Sequence, residues 1–203
     1  MTTRFMLVRH GSCAQTDTFL LGRAVDAPLS ARGRGEADAV ATRLVPERPS
    51  LVYASPRLRA RQTAMAIADT LQCDCDVSEM LDEIEFGRWS GKTFLELAGD
   101  PAWRQWNGDR VHARTPLNES IADVQTRVLA LLDTLAEIHV SETLVLVTHA
   151  EIIRCALLHY LGRSPGAFHG VDIAPGSLSR MSLQRGRAVI HSINERPTSV
   201  ALA

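Results

Sequence analysis

The chain has 203 residues, 45 % of them apolar, and a formal net charge of -1 from 22 Lys and Arg against 23 Asp and Glu. This length and balance are typical of one globular domain, and the near-zero charge argues against nucleic acid or an anionic membrane as a partner. The first residues lack the long apolar core of a secretory signal, and no apolar run reaches the length of a membrane span. We therefore expect a cytoplasmic protein.

The first part of the chain alternates apolar runs with helical patterns. The run "RFMLVRH" predicts a buried strand, and Ser30 is a plausible N-cap for the helix that follows it. The run "LVYAS" predicts a second strand. Ser55 and Pro56 then resemble the N-cap and first position of a helix that reaches about Leu71. The segment "CDCDV" after it predicts another short strand.

The pattern breaks at about residues 80–117, a segment rich in Gly, Trp, Asp and Arg. It predicts an irregular insertion with one or two short helices, and such segments are often functional. A strong helical pattern begins after Asn118. The unalternating run "TLVLVTHA" predicts a strand buried on both faces, and its helix ends at Gly162. The last predicted element is a hairpin around Arg185 and Gly186.

Strands that alternate with helices predict an α/β fold. We expect a three-layer α/β/α sandwich around a mostly parallel central sheet, in a single domain over residues 1–203 with the insertion at about 80–117. In such sheets, ligands bind at the carboxyl ends of the strands. The residues at those strand ends are therefore the first candidates for a functional site.

Two strands of the predicted sheet end in histidine. The first strand ends in Arg9 and His10, and the "TLVLVTHA" strand ends in His149. If these strands are parallel neighbours, both imidazoles lie at one edge of the sheet. The helix after the second strand adds arginines near its N-terminus, where anions are favoured, so the combination suits a phosphate. The arginines at this helix start are Arg57, Arg59 and Arg61.

The residue patterns of other phosphate-binding and phosphate-transferring proteins are missing from the sequence. There is no G-x-x-x-x-G-K-[ST] loop, and Lys92 is the only lysine in the chain. No cysteine is followed six residues later by the arginine that a cysteine phosphatase uses, and the aspartates flanking Cys75 follow a poor strand. No third ligand accompanies His10 and His149 at a metal-binding spacing. We therefore expect no metal and no cofactor, which leaves histidine as the candidate nucleophile.

Several motifs together resemble the histidine phosphatase superfamily, the phosphoglycerate-mutase-like proteins. The tripeptide "RHG" is similar to the family signature. It is followed in family order by "GRAVDAPLSARGRGEA", "ASPRLRARQTA", "LDEIEFGRWSGKTFLEL", "TPLNESIADVQTRV" and "LVLVTHAEIIR". The match covers roughly residues 5–183. Within the family, the chain looks most like α-ribazole-5'-phosphate phosphatase and its broad-specificity relatives. The resemblance implies a phosphoglycerate-mutase-like fold.

The resemblance also implies catalytic roles at matching positions. His10 is implied as the nucleophile that takes the phosphoryl group. Glu83 is implied as the general acid and then the base, and the "L.E..FG" frame selects it over Asp82 and Glu85. The implied remainder of the phosphate pocket is Arg9, Arg59 and His149.

Departures from the family pattern lie on the substrate side. Cys13 and Thr16 stand where the family often has a hydroxyl residue and an asparagine, and "HAE" at 149–151 replaces a glycine-containing version. Residues expected to contact substrate besides the phosphate pocket are Cys13, Thr16, Arg23 and Ala150, and weaker candidates are Arg88, Arg104 and His112. The insertion's Trp89, Phe94, Trp103 and Trp106 either pack it onto the domain or line an aromatic pocket.

The resemblance implies a histidine acid phosphatase-type phosphomonoesterase that acts through phosphohistidine on a small phosphorylated metabolite. α-Ribazole 5'-phosphate is one candidate substrate. Two alternatives stay open: a cofactor-dependent phosphoglycerate mutase, and a non-catalytic phospholigand-binding protein on the same fold. Retention of His10 and Glu83 argues against the second. The sequence leaves a homo-oligomer open.

Overall fold

The computed structural model describes residues 2–14 and 18–197 and contains a six-stranded sheet. The strands are β1 (Thr3–Arg9), β2 (Leu51–Ala54), β3 (Asp74–Val77), β4 (Thr143–Thr148), β5 (Leu178–Gln184) and β6 (Arg187–Glu195). Their spatial order is β3-β2-β4-β1-β5-β6. The first four of these neighbours run parallel, and β5 and β6 are antiparallel. The predicted mostly parallel sheet is confirmed.

The helices connect the strands much as the apolar periodicity predicts. The α-helices are α1 (Ala31–Leu44), α2 (Leu58–Leu71), α3 (Phe94–Ala98), α4 (Pro101–Gly108), α5 (Ile121–Ile138) and α6 (Ala150–Tyr160). Ser30 caps α1 as predicted, since its side chain accepts a hydrogen bond from the backbone N–H of Gly33. In the described part of the chain, no helix is long and apolar enough to cross a membrane.

Alternating side chains of β1 show why the sheet lies between two helical layers. Phe5 and Leu7 belong to one core cluster with α5, α6 and the insertion. Met6 and Val8 belong to a second cluster with α1 and α2. Successive strand residues point to opposite faces, so each face is buried by its own pair of helices. This is the expected three-layer α/β/α sandwich.

The strand register brings the two candidate histidines to one edge. β1 and β4 are parallel neighbours, with Arg9 opposite Thr148. The backbone N–H of His10 continues the ladder by donating to the carbonyl of Thr148 at 3.0 Å. His10 and His149 therefore both follow strand ends at the carboxyl edge, as the sequence predicts.

The predicted start of α2 is wrong. The helix begins at Leu58, and Arg57 occupies the N-cap position without capping the helix by its own side chain. Asp26 accepts the N–H of Leu58 at 2.9 Å instead. Ser55 lies just beyond β2, at the same sheet edge as the histidines. Its hydroxyl lies 2.8 Å from Nε2 of His149. The serine therefore serves the candidate site, and it contacts the helix start only through the N–H of Arg57 at 3.3 Å.

Candidate active site

The two histidine rings lie side by side beneath the sheet edge. Their centroids are 5.1 Å apart and the ring planes cross at 63°. His10 is 4 % exposed and His149 is 0 % exposed. Each ring is thus removed from water, and its hydrogen bonds and neighbouring charges decide its protonation.

Hydrogen bonds fix the tautomer of His10. Its Nδ1–H donates a hydrogen bond to the carbonyl of Gly11 at 2.8 Å, and its Nε2 accepts one from Nε of Arg59 at 3.2 Å. The lone pair is therefore on Nε2. Burial, with the charges of Arg59 and Arg9, holds the pKa of His10 well below its usual range. The ring is neutral at neutral pH, the state that a nitrogen nucleophile needs.

Two arginines flank His10. Arg59 is 1 % exposed, and its Nη2 donates to the carbonyl of Gly22 at 2.9 Å. Arg9 donates from Nη1 to the carbonyl of Ile173 at 2.6 Å, while its buried Nε has no hydrogen-bond partner among the described residues. Burial lowers the pKa of both guanidiniums. Since arginine stays charged in proteins, these cations can bind an anion placed over His10.

A short relay orients His149. Nη2 of Arg59 lies 3.3 Å from Nδ1 of His149 and can only donate, so Nδ1 accepts. Nε2–H then donates to the hydroxyl of Ser55 at 2.8 Å, and Ser55 donates to Asp82 at 3.4 Å. Burial, then the charge of Arg59, keeps the pKa of His149 well below its usual range. The ring stands neutral beside His10.

Glu83 brings a carboxyl group to the same cavity. Its Oε2 lies 3.6 Å from Nδ1 of His149, and its side chain is 13 % exposed. Burial, followed by the charge of Glu151, raises the pKa of Glu83 to about 7. The group can donate a proton below that pH and accept one above it. Its rivals from the sequence do not line the cavity: Asp82 is ion-paired to Arg57 at 2.9 Å, and Glu85 accepts from its own loop.

Three charged residues outside the cavity hold the Glu83 segment. Arg23 donates from Nε to the carbonyl of Glu83 at 2.6 Å, and Arg127 donates to the same carbonyl at 3.2 Å. Glu119 pairs with Arg23 at 3.1 Å and accepts the N–H of Glu85 at 2.5 Å. Arg23, expected to contact substrate, is instead committed to this support and does not line the cavity.

A cavity of about 410 Å³ opens above these groups. Its inner end presents the histidine nitrogen and the arginines, and its wall includes aromatic rings. Glu151, Arg110 and Arg154 contribute charge beside that wall. The residues that line the cavity include Arg9, His10, Arg59, Glu83, Trp103, Phe94, Arg110, Ala150, Glu151, Arg154, Phe168, His169 and Asp172.

Of the remaining residues predicted to contact substrate, some line the cavity and others do not. Ala150 lines the cavity, as expected of a substrate contact. Cys13 does not: it lies in the loop after His10, where it is buried with Leu21 and Leu29 and its thiol faces the carbonyls of Gly11 and Ala27. Thr16 lies outside the described residues. The weaker candidates contact other residues of the insertion and do not line the cavity. These side chains are Arg88, Arg104 and His112.

Sequence reasoning missed four charged lining residues, of which Asp172 is largely exposed and paired with Arg196. Arg110 lies in the insertion, where nothing periodic marked it, and its place depends on contacts with Trp106 and Phe168. Arg154 follows the second histidine by five residues and reads as an ordinary helix residue. Glu151 carried one signal, since it belongs to the "HAE" departure from the family pattern. Across residues 2–14 and 18–197, no cluster of three His, Cys, Asp or Glu is placed to hold a metal ion.

Known proteins share this architecture. A family model described as "Histidine phosphatase superfamily (branch 1)" matches residues 5–196. The chain is 28 % identical over 196 residues to "Phosphoserine phosphatase 1" of Hydrogenobacter thermophilus, covering 94 % of this chain and 92 % of the relative. It is 29 % identical over 182 residues to "Probable phosphoglycerate mutase GpmB" of Yersinia enterocolitica, covering 88 % and 84 %.

Solved structures agree with the fold. A phosphoserine phosphatase variant from Entamoeba histolytica, in complex with phosphoserine, superposes with a TM-score of 0.86 at 26 % identity, over 96 % of this chain and 98 % of that one. An α-ribazole phosphatase from Shigella flexneri superposes with a TM-score of 0.83 at 25 % identity, over 97 % and 98 %. The fold expected from the sequence resemblance is confirmed.

Proposed function

The chain belongs to the histidine phosphatase superfamily, and on that premise we propose that it hydrolyses phosphomonoesters of small metabolites through a phosphohistidine on His10. One observation carries the proposal. The neutral ring of His10 keeps its lone pair on Nε2, next to the guanidinium of Arg59, at the inner end of the cavity. A nucleophile and a cation that stabilises the phosphoryl oxygens thus share one position.

In the first proposed step, Nε2 of His10 attacks the phosphorus of the substrate. The new N–P bond forms as the P–O bond to the leaving group breaks. Arg9 and Arg59 face the phosphoryl oxygens and stabilise the charge that develops on them, and His149 lies beside His10 in the same pocket. Glu83 gives its proton to the leaving oxygen, so that an alcohol departs instead of an alkoxide.

In the second step, water attacks the phosphohistidine. Glu83, now a carboxylate, takes a proton from that water, and the N–P bond breaks as the new P–O bond forms. Inorganic phosphate leaves, His10 regains its lone pair and Glu83 regains its proton. The cycle needs one carboxyl group with a pKa near neutrality and no metal ion, because arginines supply the positive charge. Activity is therefore expected to persist in EDTA.

The substrate is proposed as a small phosphomonoester with a phosphorylated hydroxyl group. Support comes from the relatives, whose names specify phosphoserine, phosphoglycerate and α-ribazole phosphate chemistry. The aromatic wall of Phe94 and Trp103 leaves room for a ring such as that of α-ribazole 5'-phosphate. Those three phosphates are the first compounds to assay.

The test is phosphate release from p-nitrophenyl phosphate by wild type, His10→Ala and the control His191→Ala. His191 is exposed on β6 and hydrogen-bonds Ser182. We expect His10→Ala to lower kcat by about 10³-fold or more and His191→Ala to leave it unchanged. Labelled enzyme should carry phosphate that is stable in alkali and lost in acid. Equal rates in all three proteins would refute the proposal, and primer-dependent phosphoglycerate interconversion faster than phosphate release would identify a mutase.

A further inference from the structure

A second group of charges lines the cavity beside the phosphate end. Glu151, in the first turn of α6, lies between two arginines. Its Oε2 is 3.4 Å from Nη1 of Arg110, and its Oε1 is 3.3 Å from Nη1 of Arg154. Both distances exceed the 2.7–2.9 Å or so of a strong charge-assisted hydrogen bond. One carboxylate thus spans two guanidiniums without binding either closely.

Other contacts hold the two arginines in place. The guanidinium of Arg110 lies over the rings of Trp106 and Phe168 at 4.7 and 4.5 Å, and its Nη2 donates to Asn107 at 2.8 Å. The guanidinium of Arg154 lies over the Phe168 ring at 4.9 Å, and its Nε donates to the carbonyl of Val171 at 2.7 Å. The arginines therefore do not depend on Glu151 for their position.

Arg110 is also short of partners. It is 7 % exposed, and its Nε is buried with no hydrogen-bond partner among the described residues. Burying a guanidinium is costly unless its donors are satisfied. A buried cation with a spare donor, on the wall of a cavity, is a place where a ligand's acidic group can bind.

The net charge of the cavity wall beside the phosphate end is +1. Arg110 and Arg154 contribute two positive charges and Glu151 one negative charge. At the rim, Asp172 is paired with Arg196 at 3.1 Å. The remaining titratable side chain on this wall is His169, whose Nε2 faces the carbonyl of Asn107. Glu83, the nearest carboxyl to Glu151 on the reacting side, is protonated below a pH of about 7.

We propose that Glu151 is a specificity-determining residue that limits the leaving-group end of the cavity to one net positive charge. A leaving group with a single carboxylate balances that charge and binds Arg110 and Arg154. A second phosphate, with about two negative charges at pH 7, is repelled by Glu151. This inference rests on the proposed phosphatase activity. It adds a reason why the protein hydrolyses monophosphates instead of cycling a bisphosphate.

The experiment compares kcat/KM ratios within each enzyme, so that any change in the chemical step cancels. The first ratio is 3-phosphoglycerate over glycerol 3-phosphate and reports recognition of one carboxylate. The second is 2,3-bisphosphoglycerate over 3-phosphoglycerate and reports rejection of a second phosphate. The variants are Arg110→Met, Glu151→Gln and the control Glu137→Gln. Glu137 is exposed on the last turns of α5, next to Ala136, whose carbonyl meets the start of β1 at the opposite sheet edge.

We expect Arg110→Met to lower the first ratio about tenfold and Glu151→Gln to raise the second about tenfold, because each removes one charge near the ligand. The double variant Glu151→Gln with Arg154→Gln restores one net charge, so its second ratio should return toward that of wild type. Glu137→Gln should change neither ratio.

A second ratio in Glu151→Gln equal to that of Glu137→Gln overturns the inference, as does a wild-type first ratio of one or less. These failures are separate from failure of the proposed function. If His10-dependent hydrolysis of glycerol 3-phosphate stands while the ratios do not move, only the role of Glu151 is wrong. If hydrolysis does not depend on His10, the proposed function is wrong.

Discussion

His10, His149 and Glu83 share a buried sheet edge with two arginines, and their surroundings decide the charge on each. Burial favours the neutral form of all three, and the arginines further oppose protonation of the rings. The same arginines lower the pKa of Glu83, but burial and Glu151 outweigh them. At neutral pH the site therefore combines a nucleophile that is unprotonated with a carboxyl group that lies near its pKa and can both donate and accept a proton.

The pH dependence of hydrolysis follows from the raised pKa of Glu83. The proton is present below a pH of about 7 and is lost as pH rises through that value. We expect kcat/KM for glycerol 3-phosphate to fall by about tenfold per unit above it, because an alkoxide needs a proton to leave. p-Nitrophenyl phosphate, whose leaving group is stable as an anion, should show a much weaker fall. The two pH–rate profiles are measured side by side on the same enzyme.

Glu83→Gln supplies the control. It should lower kcat/KM for glycerol 3-phosphate by about 10²- to 10⁴-fold and remove the alkaline fall, since the amide does not titrate. An alkaline fall that survives unchanged in Glu83→Gln would assign it to another group. Glu119→Gln should lower kcat/KM by displacing Glu83 and should keep the alkaline fall, because the Glu119 side chain touches the loop of Glu83 and not the cavity.

Sequence reasoning brought His10, His149, Arg9 and Arg59 forward because each stands in a local motif at a strand end or helix start, and Glu83 because the "L.E..FG" frame resembles that of the family. Their roles in the reaction stay predictions. It could not find Arg110, because that side chain is a lining residue only through rings contributed by α4 and by a turn near Phe168. It misplaced Cys13 and Arg23 because sequence distance from His10 does not say which way a loop side chain turns.

At the scale of elements, periodic patterns predicted most bounds, and errors arose where a residue had two possible partners. Ser55 has the composition of an N-cap, yet its hydroxyl binds His149. In helix α1, a residue that is unfavourable for the helix is required by a contact outside it. Glycine destabilises a helix interior, but the carbonyl of Ser12 lies 2.0 Å from where a Cβ of Gly33 would stand. The loop after His10 rests directly on that helix.

Gly33→Ala is therefore expected to displace the loop or the helix. We predict a loss of about 1–3 kcal/mol in the free energy of unfolding, measured in urea, and a lower kcat, because Gly11 and Ser12 follow the nucleophile. Gly35→Ala is the matched control in the same helix, with no atom within 4 Å of the added Cβ. It should be neutral or stabilise by about 0.5–1 kcal/mol. Equal effects of the two substitutions would contradict the close approach at Gly33.

At the scale of the whole molecule, the insertion is part of the main core. Trp89 and Trp106 are both fully buried, in the cluster that contains Phe5 of β1, Leu146 of β4 and Leu132 of α5. The single-domain organisation was a prediction from length and pattern alone. The shared cluster gives it a physical basis, because the insertion cannot separate without exposing apolar surface on both sides.

This organisation can be tested by unfolding in urea, because all three tryptophans of the chain, at positions 89, 103 and 106, lie in the insertion. Tryptophan fluorescence reports the insertion, and far-ultraviolet circular dichroism reports the whole chain. One cooperative domain should give coincident transitions.

Met181 on β5 is 1 % exposed in the same cluster. Met181→Ala should destabilise the protein by about 2–5 kcal/mol and shift both transitions together. A fluorescence midpoint that stays in place while the dichroism midpoint moves would mean that residues 80–117 unfold independently. The candidate site would then be built from two separately stable parts, because Glu83 and Arg110 lie in the insertion and His10 lies at the sheet edge.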